Sequence, residues 1–155
     1  MGTVRVREAR KATTKAISKA TLLELSEARL AEAKVLLAAG LYSGAYYIAD
    51  YAVELRLKAL LADKFAAGAI PDRKFVNRIF THDLEELIRE AGLRDALEAA
   101  RKAEPAFALH WSFISEWSEE SRYDIIAAAK AGNLVAAIEH PRDGILAWLT
   151  KLSSK

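Results

Sequence analysis

The sequence predicts an all-α protein that folds as a single antiparallel (up-and-down) bundle of four to six helices. Apolar residues recur at the spacing of an amphipathic helix through most of the chain, and no long stretch alternates as a strand does. The 155 residues, of which 52% are hydrophobic, suffice for one domain with one core. Mostly short connections separate the helical stretches, so successive helices are expected to lie side by side and antiparallel.

The first two predicted helices are the longest. The first begins near Thr21, whose spacing to Glu24 is that of a capping box, and it ends at Gly40. The second has Ser43 as its predicted N-cap and runs to about Phe65. Apolar residues cover most of the circumference of this second helix, so we expect it to lie at the centre of the bundle.

Glycine and proline divide the rest of the chain. Residues 68–80 are predicted to be a connection, and Thr81 is predicted to cap a short helix that ends at Gly92. A further helix over 93–103 stops before Pro105. Residues 105–122 form an aromatic-rich stretch that the pattern does not assign. Three helical segments follow, at 123–131, 134–139 and 145–152, and they are separated at Gly132-Asn133 and at 140–144.

Composition excludes several classes of protein. No run of about 18 apolar residues occurs and no apolar segment follows the basic N-terminus, so we expect no membrane span, no secretory signal and a cytoplasmic location. The absence of cysteine excludes disulfides and thiolate zinc sites. The chain also lacks glutamine and has one methionine and two asparagines, a depletion of thermolabile side chains that indicates a thermophile.

Residues 1–20 are predicted to be a basic leader that precedes the helical domain at 21–152. The leader carries six basic residues and one acid, although the net charge of the whole chain is only +2. Such a segment could contact phosphates. The interpretation we prefer is a solvated, partly disordered leader.

Two segments together resemble the HEPN family. They are EARLAEAKVLLAAGLYSGAYYIADYAVELRLKALL, which contains the predicted helical hairpin, and the later THDLEELIREAGL. The WSEESRYD segment and the HPRDGILAWL tail resemble elements that follow in the same family. The resemblance extends over about residues 21–152. It implies an antiparallel helical bundle that is usually a homodimer.

The resemblance also implies one of two activities. Many HEPN proteins are metal-independent RNA-cleaving toxins with an Arg-x(4–6)-His motif at the dimer seam. Others are proposed nucleotide-binding partners of a small nucleotidyltransferase, often encoded beside them. Such pairs belong to toxin–antitoxin or defence-like modules.

The three histidines do not provide the ribonuclease motif. His82 follows Arg78 with three intervening residues, and neither His110 nor His140 has an arginine at the family spacing. RNA cleavage without metal needs a general base near the 2′-hydroxyl and a cation beside the phosphate. Because Thr81 is the predicted cap, Arg78 is expected in a loop, away from the helix of His82. We therefore prefer a structural role for His82 at the helix start, with a phosphate or nucleotide contact second and catalysis third.

A polar line on the second helix is the other candidate site. Asp50, Glu54 and Lys58 recur every four residues, and Tyr47 and Tyr51 flank the same side. One interpretation is a solvated stripe or an internal salt-bridge network. The other is the wall of a cleft in which the tyrosines contact a base and the charges orient it.

Two arginines are further candidates. Arg29 falls within the apolar stripe of the first helix, so we expect Asp50 or Glu54 to pair with it. Arg122, beside Tyr123, is a candidate phosphate ligand, with pairing to a nearby carboxylate, Glu119 or Asp124, as the equally favoured alternative. For Trp111 and Trp117 we prefer core or dimer packing, with a base-stacking platform as the alternative.

The preferred hypothesis is a non-catalytic protein that binds a nucleotide or RNA and acts with a small nucleotidyltransferase. The alternatives are a ribonuclease toxin with a degenerate motif of Arg78 and His82, and a dimerisation scaffold. We expect no metal site, because the acidic residues near 116–124 are too spread along the chain to form one, and we expect no cofactor.

Overall fold

A computed structural model of the protein describes residues 16–154, and within this range it contains helices and no strand. Eight α-helices and one 3-10 helix follow each other: α1 (Lys19–Ala38), α2 (Tyr42–Ala62), α3 (Arg73–Ile79), α4 (Leu84–Ala91), α5 (Arg94–Ala103), α6 (Pro105–Ser115), the 3-10 helix (Glu119–Tyr123), α7 (Ala128–Glu139) and α8 (Ile145–Ser153). The predicted all-α bundle is confirmed. The count exceeds the predicted four to six because the supposed connection contains α3 and the unassigned stretch contains α6 and the 3-10 helix.

Helix α2 lies at the centre, as its apolar circumference predicts. It packs along α1 and also contacts α4, α7, α8 and the 3-10 helix. Its fully buried side chains include Ala49, Val53, Leu57 and Leu61. Between residues 16 and 154, no helix is both long and apolar enough to cross a membrane.

The ends of α1 differ in how well the sequence predicts them. Gly40, with φ of 75°, follows the end of α1 as expected, because a left-handed conformation suits glycine. The N-cap is Ser18 rather than Thr21, since the Ser18 hydroxyl accepts a hydrogen bond from the Thr21 N–H at 3.1 Å. Residues 19 and 20 of the predicted leader therefore belong to α1. Residues 1–15 of the leader lie outside the described part of the chain.

The cap of α4 also differs from the prediction. Asp83, not Thr81, is the N-cap, and its carboxylate accepts hydrogen bonds from the N–H groups of Glu85 and Glu86 at 2.9 and 3.2 Å. The Thr81 hydroxyl instead accepts from the Asp83 N–H at 3.1 Å. Arg78, which the sequence predicts in a loop before this cap, lies in the last turn of α3.

Helix α7 runs without interruption through Gly132-Asn133, where the sequence predicts a break. The low helix propensity of these residues is overridden by packing, because Ala131, Leu134 and Val135 are all buried. Tyr123, expected in a helix with this segment, belongs to the preceding 3-10 helix.

The turn before α8 provides a stability test. A Cβ atom on Gly144 would lie 2.4 Å from the carbonyl oxygen of His140 and 2.6 Å from its nitrogen. Gly144→Ala is therefore expected to lower the free energy of unfolding by about 1–3 kcal/mol. In α7, by contrast, a Cβ on Gly132 would meet no atom within 4 Å beyond the backbone of its own helix. Gly132→Ala is therefore expected to raise the free energy of unfolding by about 0.5–1 kcal/mol. Chemical denaturation measures both, and equal stabilities would contradict the close approach at Gly144.

Candidate functional site

A buried carboxylate on α2 organises the candidate site. Glu54 is 4% exposed, and its two oxygens bind two different partners. One accepts a hydrogen bond from the Lys58 ammonium at 2.7 Å, and the other lies 2.8 Å from Nδ1 of His82. The predicted ion pair between Glu54 and Lys58 is thus present in the structure. It is an internal network and not a solvated stripe.

His82 reaches Glu54 from the loop that precedes α4. Its side chain is 46% exposed, and its Nε2 lies 3.8 Å from a carboxylate oxygen of Glu119. The imidazole therefore lies between a buried carboxylate and an exposed one. Because Glu54 occupies Nδ1, Nε2 is the ring nitrogen that a ligand can reach.

Aromatic rings surround His82 and Glu54. The Tyr51 ring meets the imidazole of His82 edge to face, with centroids 5.6 Å apart, and it meets Trp117 in the same way at 5.5 Å. Tyr47 stacks beside Trp117 at 6.3 Å, and its hydroxyl accepts a hydrogen bond from Tyr51 at 3.0 Å. Burial, followed by the bond to Tyr47, raises the pKa of Tyr51. The Tyr51 hydroxyl is therefore neutral near pH 7.

A cleft of about 430 Å³ opens in front of these residues, between α6, the start of α4 and the segment that leads into the 3-10 helix. Its apolar wall consists of Leu84, Trp111, Ile114 and Trp117. Four carboxylates lie around it: Asp83, Glu85, Glu119 and Glu120. His82 is the sequence-predicted residue that lines this cleft, while Tyr51 and Glu54 lie behind it. The cleft accommodates a planar apolar group with hydrogen-bond donors at its edge better than it accommodates an anion.

Arg122 and Tyr123 lie beside the aromatic cluster, on the 3-10 helix. The guanidinium of Arg122 lies 4.9 Å from the centroid of the exposed Tyr123 ring. Interactions first with Tyr123 and then with Tyr47 raise the pKa of Arg122. Within residues 16–154, no carboxylate forms a salt bridge with Arg122, so neither predicted pairing, with Glu119 or with Asp124, is present.

Asp50 is not brought to the cleft. Its carboxyl is fully buried, and neither oxygen has a hydrogen-bond partner among the described residues. Burial, and secondarily the charge of Glu54, raises the pKa of Asp50 well above its usual value. The raised pKa favours the neutral acid, which costs less to bury than a carboxylate.

Arg29 does not pair with either predicted carboxylate. Its guanidinium binds Glu32 at 3.0 Å, one turn along α1, and its side chain is 37% exposed. The predicted pairing with Asp50 or Glu54 is therefore wrong. At the edge of α1 the guanidinium of Arg29 reaches both a local carboxylate and water, so its charge is not buried.

Arg78 and His82 are engaged with different partners. Nε of Arg78 donates to the Glu90 carboxylate at 2.8 Å, and this bond lowers the pKa of Glu90 although burial acts in the opposite direction. His82 is held by Glu54. The structure thus commits the two side chains of the degenerate ribonuclease motif to separate carboxylates.

Trp117 and Glu119 are two of the cleft residues that sequence reasoning did not assign to the site. Trp117 is 8% exposed and its indole N–H donates to the carbonyl of Tyr46 at 3.2 Å. The WSEESRYD segment contains both residues, and its resemblance to a family element is the signal that could have identified them. In the described part of the chain, no group of three or more His, Asp or Glu side chains could hold a metal ion.

Comparison with known proteins gives one family. The family model described as "HEPN domain" matches residues 20–140, which extend from the second residue of α1 to the residue after α7 and include all of the cleft residues. No curated protein and no solved structure matches the chain significantly.

Proposed function

The chain belongs to the HEPN domain family, and we propose that it binds a nucleotide, or one nucleotide unit of RNA, in the cleft beside His82. One observation carries this proposal: the half-exposed imidazole of His82 is fixed by Glu54 at the mouth of a cleft with an aromatic wall. The cleft volume of about 430 Å³ lies within the range of about 300–1,000 Å³ that is usual for small-molecule sites.

The charges around the cleft support one orientation of the nucleotide. Carboxylates accept hydrogen bonds from the exocyclic amino groups of bases, and Glu119 and Glu120 lie at the edge of the cleft. A phosphate would be repelled there. Arg122, which has no carboxylate partner in the described structure, lies outside the cleft and can bind the phosphate. The base is therefore directed inward and the phosphate outward.

Calorimetry with matched ligands tests this orientation. AMP carries an amino group that IMP lacks, so AMP is expected to bind at least about tenfold more tightly, the equivalent of one good hydrogen bond to a charged group. Equal affinities for AMP and IMP would contradict the role of the carboxylates. No affinity for AMP or for a short single-stranded RNA would contradict nucleotide binding and favour a dimerisation scaffold.

Arg122→Ala is expected to weaken AMP binding by about tenfold, because a charge-assisted contact with the phosphate is lost. The affinity for adenosine, which lacks the phosphate, should not change. Arg94→Ala serves as the matched control, because Arg94 is an exposed arginine at the start of α5, which contributes no residue to the cleft. A similar loss of affinity for AMP and adenosine in Arg122→Ala would contradict the phosphate contact.

The wider role proposed here is that of a homodimer acting with a small nucleotidyltransferase in a toxin–antitoxin or defence-like module. Membership of the HEPN family supports this role. A neighbouring reading frame that encodes a short nucleotidyltransferase, and a stable complex of the two purified proteins in light scattering, would support it. Separate elution of the two proteins at micromolar concentration would contradict it.

A further inference from the structure

A second pocket, independent of the cleft, lies between α2, α6 and α7. It has a volume of about 180 Å³ and is lined by Tyr46, Phe113, Glu116, Lys130 and Asn133. This volume corresponds to roughly six water molecules and is below the lower end of the usual range for drug-sized ligands, about 300 Å³. The pocket is therefore too small for a nucleotide, and a ligand of this pocket would belong to a different class.

The pocket combines one charge of each sign. The ammonium of Lys130 lies 4.0 Å from a carboxylate oxygen of Glu116, and both side chains are about half exposed. At this separation and exposure the pair contributes little to stability. Each charge therefore remains able to pair with an opposite charge on a ligand. The Asn133 amide, which makes no hydrogen bond among the described residues, adds a donor and an acceptor.

The floor of the pocket contains a buried polar group without a partner. Tyr46 is 2% exposed and its hydroxyl has no hydrogen bond in the described structure. Burial, followed by the charges of Glu116 and other carboxylates, raises the pKa of Tyr46 to about 12, so the hydroxyl remains a donor at neutral pH. The flexible side chain of Lys130 covers the Tyr46 ring at 5.3 Å from its centroid. Displacement of Lys130 toward an anionic ligand group would bring an acceptor to the hydroxyl.

From this arrangement we infer that the pocket binds a small zwitterion of the α-amino acid class. The carboxylate of the ligand lies between Lys130 and the Tyr46 hydroxyl, and its ammonium pairs with Glu116. Phe113 and the Tyr46 ring contact a short side chain. A simple anion would be repelled by Glu116, and a simple cation would be repelled by Lys130. A ligand with only one of the two charges should therefore bind more weakly than the zwitterion.

Titration of the ¹⁵N-labelled full chain with L-serine tests the inference. We expect saturable shifts of the backbone amides of Lys130 and Asn133, two residues that line this pocket and not the cleft. Ethanolamine lacks the carboxylate of serine and 3-hydroxypropionate lacks its ammonium. Each is expected to bind at least about tenfold more weakly than serine. Either compound binding as tightly as serine would overturn the assignment of a zwitterion.

Two variants complete the test. Lys130→Ala removes an exposed ammonium and is expected to abolish the saturable shifts, whereas Lys102→Ala, an exposed lysine on α5, should leave them unchanged. Tyr46→Phe keeps the buried ring and should weaken serine binding without unfolding the protein. Unchanged binding by Lys130→Ala, or no saturable shift of the wild-type protein up to about 50 mM serine, would overturn the inference.

Discussion

Raising the pH above about 4 is expected to destabilise the wild-type protein through Asp50, and Asp50→Asn should remove that contribution. The folded-state pKa of Asp50 is raised above the ordinary value of 3.8 by burial and by Glu54. Between 3.8 and the folded-state pKa, the folded protein keeps a proton that the unfolded chain has lost. The stabilisation that comes from the protonated carboxyl of Asp50 is therefore fully present below the unfolded-state pKa, and it is lost as pH rises through the folded-state pKa. The loss is about 1.4 kcal/mol for each pH unit within this window.

Urea denaturation of both proteins from pH 4 to pH 9 measures the effect as a difference. Glu90 acts in the opposite direction because its folded-state pKa is lowered. The ionised Glu90 stabilises the fold above its unfolded pKa of about 4.5, and this stabilisation is lost in acid. Both proteins share this contribution, so subtraction removes it. Parallel curves of wild type and Asp50→Asn would contradict a buried, unpaired carboxyl at position 50.

Glu54→Ala is expected to lower the free energy of unfolding by about 3 kcal/mol and to abolish measurable AMP binding. The substitution leaves the 20% exposed side chain of Lys58 without its carboxylate, and removal of one partner of a buried pair costs about 3–5 kcal/mol. Partial exposure of Lys58 places the expected value at the lower end. His82 loses the bond that fixes its ring, so the binding geometry is lost as well.

Two control variants separate these effects. Glu54→Gln keeps the shape and much of the hydrogen bonding, so it should retain most of the stability while weakening AMP binding. Glu139→Ala removes the partner of Lys34 in an exposed pair and should cost at most about 1 kcal/mol. A stability loss for Glu54→Ala as small as that for Glu139→Ala would contradict the central role of the buried carboxylate.

The fold could be predicted from sequence because its main determinants are local. Gly40 and Gly92 end helices through their positive φ, and the apolar circumference of α2 places that helix at the centre. The continuous α7 could not be predicted in the same way. Burial of Leu134 against the rest of the bundle outweighs the weak helix propensity of Gly132, and that packing is not visible in local sequence.

The candidate site could be predicted only in part. The ion pair of Glu54 and Lys58 follows from their spacing on one helix. The contacts of His82 with Glu54 and of Trp117 with Tyr51 join residues far apart in the chain, and no periodicity reports them. Helix periodicity also places Asp50 on the polar line, but it cannot tell how deeply that line is buried.

Titration of the ¹⁵N-labelled protein with AMP tests most directly whether a nucleotide base enters the cleft beside His82. We expect saturable shifts of the imidazole of His82, the indole N–H of Trp117 and the backbone amide of Glu119. In His82→Ala, the shifts of Trp117 and Glu119 should be lost. Unchanged spectra up to about 10 mM AMP, a concentration far above the Kd expected of a functional site, would contradict base binding in the cleft. So would shifts confined to Lys130 and Asn133 of the second pocket.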